Sequence, residues 1–411
     1  MVNSFANAIA IPLVSLLVTP LSLLAACFVA FPEPLATIAV PLLALAHWLM
    51  ALLAELLQWS LQWRAASIAL PAPPAWVAAL AVLGAAWLLA PPGWPMRWAG
   101  AVWLMPLFVW PAQRPEAGDL WVTALDVGQG SALVIETLGQ VLIYDSGPRY
   151  SPQADAGSRI VLPYLRTRGI ERIDILVLSH LDSDHSGGAA SLLGVLDVRA
   201  VWTSIEPGHP LLANAGSVQR CRAGTTSIFG SLELRVLHPT DAEYALPERN
   251  TNARSCVIEA RVGAWRLLLT GDLPAAQELD LVARTSDLHT TLLTAPHHGS
   301  RSSSSDPFVR ATAPTWVVVQ AGYRNRFGHP DPVVLARYRA VGAELIRTDF
   351  AGATQWRFAR DGRQLMRRQR VDGARYWHNQ PGLGTRSGSP MEADKGSQRE
   401  GVDFEISSPR D

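Results

Sequence analysis

Cysteine is scarce in this sequence. Cys27, Cys221 and Cys256 lie far apart in 411 residues and form no CxxC pair. That excludes a thiolate zinc knuckle and argues against a disulfide framework, so the three read as small buried apolar residues. An excess of either charge is missing too, because 35 basic and 35 acidic side chains cancel. No global basicity marks a nucleic-acid binder, and any such footprint must be local. Between Ala8 and Trp110 charge itself is nearly absent, with Glu33, Glu55, Arg64 and Arg97 its only carriers. A soluble surface needs a far larger charged share. A cleavable signal peptide is excluded as well, since several apolar blocks follow one another and no basic region precedes the first.

What is present is a membrane pattern followed by a soluble one. Apolar blocks at about 9–31 and 35–63 are long enough to cross a hydrocarbon core of about 30 Å. Those at 75–90 and 98–110 are shorter and fit tilted spans, a re-entrant pair or interfacial helices, giving two to four spans. Pro12, Pro20, Pro41 and Pro106 interrupt the blocks, and Trp59, Trp63, Trp94, Trp98 and Trp110 lie near their ends, where indole favours the headgroup region. Residues 1–111 therefore read as a transmembrane helical segment. After a linker, 119–370 reads as a second domain of strands and helices. Short apolar runs such as LWVTALDVG, QVLIYDSG, IDILVLSH, AWRLLLTGD and TWVVVQAG alternate with turn residues and look like strands. Helical patterns at 159–168, 189–195, 274–284 and 332–341 imply an α/β fold of sheets covered by helices. The tail, 379–411, is rich in Gly, Ser and mixed charge and is expected to be disordered.

Chemistry concentrates where strands end. His180-Leu-Asp182-Ser-Asp184-His185-Ser-Gly187-Gly188 follows the run IDILVLS directly. Four imidazole and carboxylate side chains in six positions suit two divalent ions sharing one turn. Gly187 and Gly188 would let the next helix approach the strand closely. Three further strand ends carry ligand types: Asp272 after AWRLLLTG, His297 and His298 in TAPHHGS, and His329 in a glycine-containing loop. Together they predict one rim.

This pattern resembles the metallo-β-lactamase superfold, with HxDxDH standing for that family's HxHxDH because Asp182 replaces the second imidazole. More narrowly, the sequence is similar to the C-terminal part of the ComEC-type DNA-internalisation competence proteins. AIAIPLVSLLVTPLSLLAA, DVGQGSALVIET, HLDSDHSGG, LLLTGD, APHHGSRSSSS and the GHP containing His329 occur in that family's order. Members normally carry a further amino-terminal soluble domain and more spans. The resemblance implies a transmembrane segment followed by a four-layer αββα domain. It implies His180 and Asp182 for one metal, Asp184, His185 and His297 for the other, and Asp272 between them. Asn252 would complete or orient the first site, His298 would stand at or just behind the ligands, and His238 reads as structural. Asp184, Asp272 and His329 are the expected catalytic residues. Asp126 and Asp145 read as turn residues that brace the loops.

Two divalent ions are the expected cofactors. Carboxylate in place of imidazole favours Mn²⁺ or Mg²⁺, with Zn²⁺ as the alternative. Arg301, Arg324 and Arg326 are candidates for phosphate contact, as are Arg166 and Arg168. The functional expectation is a membrane-anchored phosphodiesterase or nuclease of DNA uptake, within a translocation channel of the inner membrane. Its expected partners are DNA, the bilayer, other competence proteins and further copies of itself. Two alternatives stay open: a channel component whose soluble domain only guides a strand, and a hydrolase of another phosphoester.

Overall fold

A computed structural model describes residues 2–61, 71–245 and 250–376. The expected disordered tail, Arg64 and Trp63 lie outside the described residues.

Two helical stretches, Ala6–Val29 and Leu35–Ser60, are long and apolar enough to cross a membrane by length and composition. At 1.5 Å per residue each exceeds the core thickness of about 30 Å. The first contains a π-helical turn at Val14–Val18, just before Pro20, where the ladder must accommodate a missing N–H. The next helices, Ala75–Leu88 and Ala99–Val109, are too short to span alone. They pack backbone to backbone, since a Cβ on Gly84 would sit 2.6 Å from the Gly100 carbonyl oxygen.

The strand runs form two sheets. Across the first, the order is Gln364–Arg368, Thr354–Phe358, Leu120–Ala124, Leu133–Thr137, Gln140–Tyr144, Arg172–Leu178, Asp197–Thr203 and Val218–Arg220. Across the second it is Glu344–Arg347, Trp316–Val319, Leu292–Thr294, Trp265–Leu269, Val257–Val262, Leu232–His238 and Thr226–Phe229. Continuous apolar runs make strands buried on both faces. Ile175 and Val177 turn into the core between the sheets, with Ile258, Ala260, Leu267 and Leu269 opposite. Leu176 and Leu178 turn outward, where Leu165, Ala189 and Leu192 of covering helices meet them. On the far side Leu268, Leu293 and Val317 pack under Leu281, Phe308 and Tyr338. The result is helix, sheet, sheet, helix. Parallel strands in each sheet, Gln140–Tyr144 beside Arg172–Leu178 and Trp265–Leu269 beside Leu292–Thr294, send their carboxyl ends to one edge. Ligands in α/β sheets gather at such edges.

One expectation is corrected here. Cys221 and Cys256 are joined in a disulfide, with Cα atoms 5.8 Å apart, and Cys27 is exposed. Cys221 follows the last strand of the first sheet and Cys256 precedes a strand of the second, so stacking the sheets brings together residues that 35 positions separate.

Candidate metal centre

The strand Arg172–Leu178 ends in Ser179 and His180, and Asp182 opens a single helical turn at Ser183–Ser186 that carries Asp184 and His185. Neighbouring loops clamp this turn. Ser131 N donates to the Asp184 carbonyl (3.0 Å) and Ser146 N to that of His185 (2.7 Å). Gly188 fits because it has no side chain: a Cβ there would lie 2.3 Å from the Ser146 carbonyl oxygen and 2.4 Å from Gly157 N.

Three buried imidazoles share one arrangement. His180 Nδ1 meets Ser179 Oγ at 2.9 Å, His185 Nδ1 meets Asp145 at 2.7 Å, and His298 Nδ1 meets the Gln320 carbonyl at 2.8 Å. With Nδ1 engaged, each ring has Nε2 left for the interior, the usual way an outer partner orients a metal-binding histidine. His185 Nε2 lies 2.9 Å from Asp272 Oδ1 and 3.2 Å from His298 Nε2. His298 Nε2 is 3.3 Å from Asp184 Oδ2. Among the described residues, Asp184, His185, Asp272 and His298 bring donor atoms within 4.8 Å of one another. His180 lies beside His185, ring centroids 4.3 Å apart with the planes tilted by 46°, and its Nε2 lies 3.7 Å from Asp182 Oδ2.

Within this group, the buried atoms His180 Nε2 and Asp272 Oδ1 lack a hydrogen bond. Asp272 Oδ1 has ion-pair neighbours instead, His185 Nε2 at 2.9 Å and His298 Nε2 at 3.5 Å. Leaving such atoms unmatched costs about 1–3 kcal/mol each, so the donor set fits divalent ions. The electrostatics agree. Burial alone would raise Asp184, but a hydrogen bond to His298 and the charges of His185 and His298 hold it at about 2. Burial opposes ionisation of Asp272 as well, yet His185 and His298 keep it well below the usual carboxylate range. Burial disfavours a charged His185, but Asp272 and Asp145 raise it well above the ordinary imidazole value.

The other predicted residues fall at different distances. His297 is half-buried, with Nε2 3.5 Å from Asp272 Oδ2. Both it and His298 occupy the left-handed region, φ 52° and 54°, which turns adjacent side chains to different sides of Asp272. His329 lies beside His297, ring centroids 5.7 Å apart. Burial lowers both of these rings. Asn252 reaches the group only through its neighbour, since Thr251 Oγ1 donates to Asp182 Oδ1. Asp145 is a brace: fully buried, it accepts Ser179 N, Ser179 Oγ and His185 Nδ1. Asp126 pairs with Arg370 instead, and His238 binds the Ala253 carbonyl, away from the group. Arg301, Arg324 and Arg326 are exposed. Arg168 is corrected: it binds Glu136 before the strand whose far end carries His180. Ser179, Thr251 and Gln320 carried no signal of their own, being polar residues common in any turn.

A cavity of about 90 Å³ opens beside His180, lined by Ser204, Glu206, His209, Thr251 and Arg254. A larger one, about 520 Å³, borders the edge strand Thr226–Phe229 and shares no lining residue with the centre.

Residues 125–319 match a family model described as the metallo-beta-lactamase superfamily, and residues 1–95 match one described as competence protein. Competence protein ComA of Neisseria gonorrhoeae is 32% identical, covering 93% of this chain and 51% of that protein. ComE operon protein 3 of Bacillus subtilis is 28% identical, covering 61% of this chain and 34% of the relative. The chain thus spans about half or less of these relatives. Among solved structures, the metallo-beta-lactamase fold protein YhfI from Bacillus subtilis is 12% identical with a TM-score of 0.39, covering 56% of this chain and 96% of that one. With both segments matched in the same order along one sequence, the chain is similar to the ComEC-type competence proteins, in the part where apolar helices lead into a metallo-β-lactamase fold.

Proposed function

We propose that the chain is a membrane-anchored, metal-dependent phosphodiesterase that cuts DNA during uptake. The observation that carries this reading is the shared orientation of His180, His185 and His298 around Asp272, with two buried donor atoms left unmatched. Asp184, His185, Asp272 and His298 would hold one ion, and His180 with Asp182 would hold a second. Bound divalent ions activate water and neutralise charge on phosphoryl oxygens. Asp145 and Ser179 keep the imidazoles aimed, and burial excludes competing water. His329, lowered by burial and by His297, is neutral near pH 7 and suits a hydrogen bond to a phosphate or leaving oxygen. Three carboxylates and no thiolate among these residues favour Mn²⁺ or Mg²⁺ over Zn²⁺. DNA as substrate is supported by the competence family. The apolar helices support a multi-pass place in the inner membrane, where they would contribute to a passage for the strand.

The test is cleavage of single- and double-stranded DNA by the full chain in lipid nanodiscs with Mn²⁺. Cleavage is expected, and it should vanish in His180→Ala and Asp272→Ala. Intact DNA with Mn²⁺, Mg²⁺ and Zn²⁺ alike, or undiminished cutting by both variants, overturns the proposal.

A further inference from the structure

Beside the metal centre, the loop from Gly322 to His329 carries two large aromatic side chains that the fold does not use. Tyr323 is 46% and Phe327 53% exposed. Solvent-facing rings usually sit on mobile tips, yet this loop is fixed from inside. Asn325 Oδ1 accepts Phe327 N (3.2 Å) and His329 N (3.0 Å), while its Nδ2 donates to the carbonyls of Gly322 (2.9 Å) and His329 (2.6 Å). Gly322 N donates to Gln129 Oε1 at 3.1 Å, tying the loop to the neighbouring turn. Arg324 is held at a left-handed φ of 52° to complete it. Rigid, exposed rings next to a reactive centre point to a ligand that covers them.

The rings lead inward in sequence. Phe327 stacks on His329 with planes 16° apart and centroids 5.8 Å apart. His329 adjoins His297, and His297 adjoins Asp272. Each outer ring also carries a cation: the Arg324 guanidinium lies 5.3 Å from the Tyr323 centroid and that of Arg326 4.9 Å from Phe327. An exposed guanidinium can exchange such a contact for a backbone phosphate. Alternating aromatic faces and cations are the equipment of single-strand nucleic-acid sites, where bases stack on rings and phosphates pair with arginine. In a duplex every base face is covered by its neighbours, so such a surface selects unpaired strands. A lipid surface would also take aromatic and basic side chains, but the loop lies at the wrong end for it. The residues that touch the chain leading to and from the short apolar helices, Thr167 on Ala72 and Arg168 on Gln113, precede the strand Arg172–Leu178, whose other end carries the metal centre.

We propose that this loop is a base-stacking platform, with Tyr323 and Phe327 receiving bases of an unpaired DNA strand and Arg324 and Arg326 its phosphates, which leads that strand to Asp272. The proposal rests on the DNA reading above. Its test is binding without cleavage: full chain in zwitterionic nanodiscs with EDTA, and a fluorescent oligothymidylate compared with an abasic strand of equal length. Wild type should prefer the strand with bases by about tenfold or more. The Tyr323→Ala, Phe327→Ala double variant should bind both strands alike, at the wild-type affinity for the abasic one. Tyr323→Phe with Phe327→Trp should restore the preference. A 2-aminopurine base in the strand should be quenched by wild type and not by the double alanine variant. Equal wild-type affinity for both strands, or a preference that survives the double variant, overturns the platform and leaves the nuclease reading standing. Failure of wild type to bind either strand, together with no cleavage under Mn²⁺, overturns both.

Discussion

Titrating Mn²⁺ into the metal-free protein at pH 6 and again at pH 7 should give affinities about tenfold apart. The cause is His185. Its Nδ1 lies 2.7 Å from Asp145 and its Nε2 2.9 Å from Asp272. Burial works against the imidazolium, but the two carboxylates outweigh it and raise the ring well above its ordinary value. Without metal, the ring therefore favours its protonated form, with the Nε2 proton facing Asp272. An ion can use that nitrogen only after the proton leaves, so binding one ion releases one proton, and each pH unit is worth about 1.4 kcal/mol of apparent affinity. Calorimetry in two buffers of different ionisation heat would count the proton directly. Asp145→Asn removes one of the two carboxylates, so it should lower the ring and flatten the dependence. Identical heats in both buffers, with affinity independent of pH, would refute the assignment of that proton to His185.

Other consequences follow from the same geometry. Asp184 is held at about 2 in the fold, below its unfolded value, so its stabilisation is present above about pH 4 and lost as pH falls towards 2. An acid titration of the metal-free protein should show a loss of about 2 kcal/mol from this group, abolished by Asp184→Asn. Gly188→Ala places a methyl against the Ser146 carbonyl and should cost about 1–3 kcal/mol of stability and weaken metal binding, read by thermal melts with and without Mn²⁺. Reduction of the Cys221–Cys256 bridge, or Cys221→Ser, opens a 35-residue loop and should cost about 3–4 kcal/mol, measured by denaturant unfolding with and without reductant. Arg301→Ala with Arg326→Ala should flatten the salt dependence of single-strand binding by about 1.4 in the log–log slope, if both meet phosphate.

Much of the centre was legible because ligand-type residues interrupt apolar runs. IDILVLS became the strand Arg172–Leu178 with His180 to His185 at its end, and AWRLLLTGD became Trp265–Leu269 with Asp272 beyond it. The helix at Ala189–Val195 matched its pattern to the residue. Where reading stopped, three-dimensional facts decide. His297 and His298 are neighbours of one type, and only the left-handed turn determines that His298 joins Asp184 and His185 while His297 flanks Asp272 from the other side. Arg168 follows the QVLIYDSG run in sequence, but parallel strands need a crossover, which carries the chain to the opposite edge first. Edge strands such as Val218–Arg220 and Gln364–Arg368 are short and half-exposed, so no apolar run announced them. The disulfide depends on sheet stacking, which spacing along the chain does not encode.

The central claim is that the rim around Asp272 seats a pair of divalent ions. Electron paramagnetic resonance of the Mn²⁺-loaded full chain, with metal content measured on the same sample, tests it most directly. Two ions per chain with a spin-coupled spectrum, collapsing to an uncoupled signal or to none in Asp272→Ala, is the predicted result. One isolated Mn²⁺ per chain, or a spectrum that Asp272→Ala leaves unchanged, would contradict it.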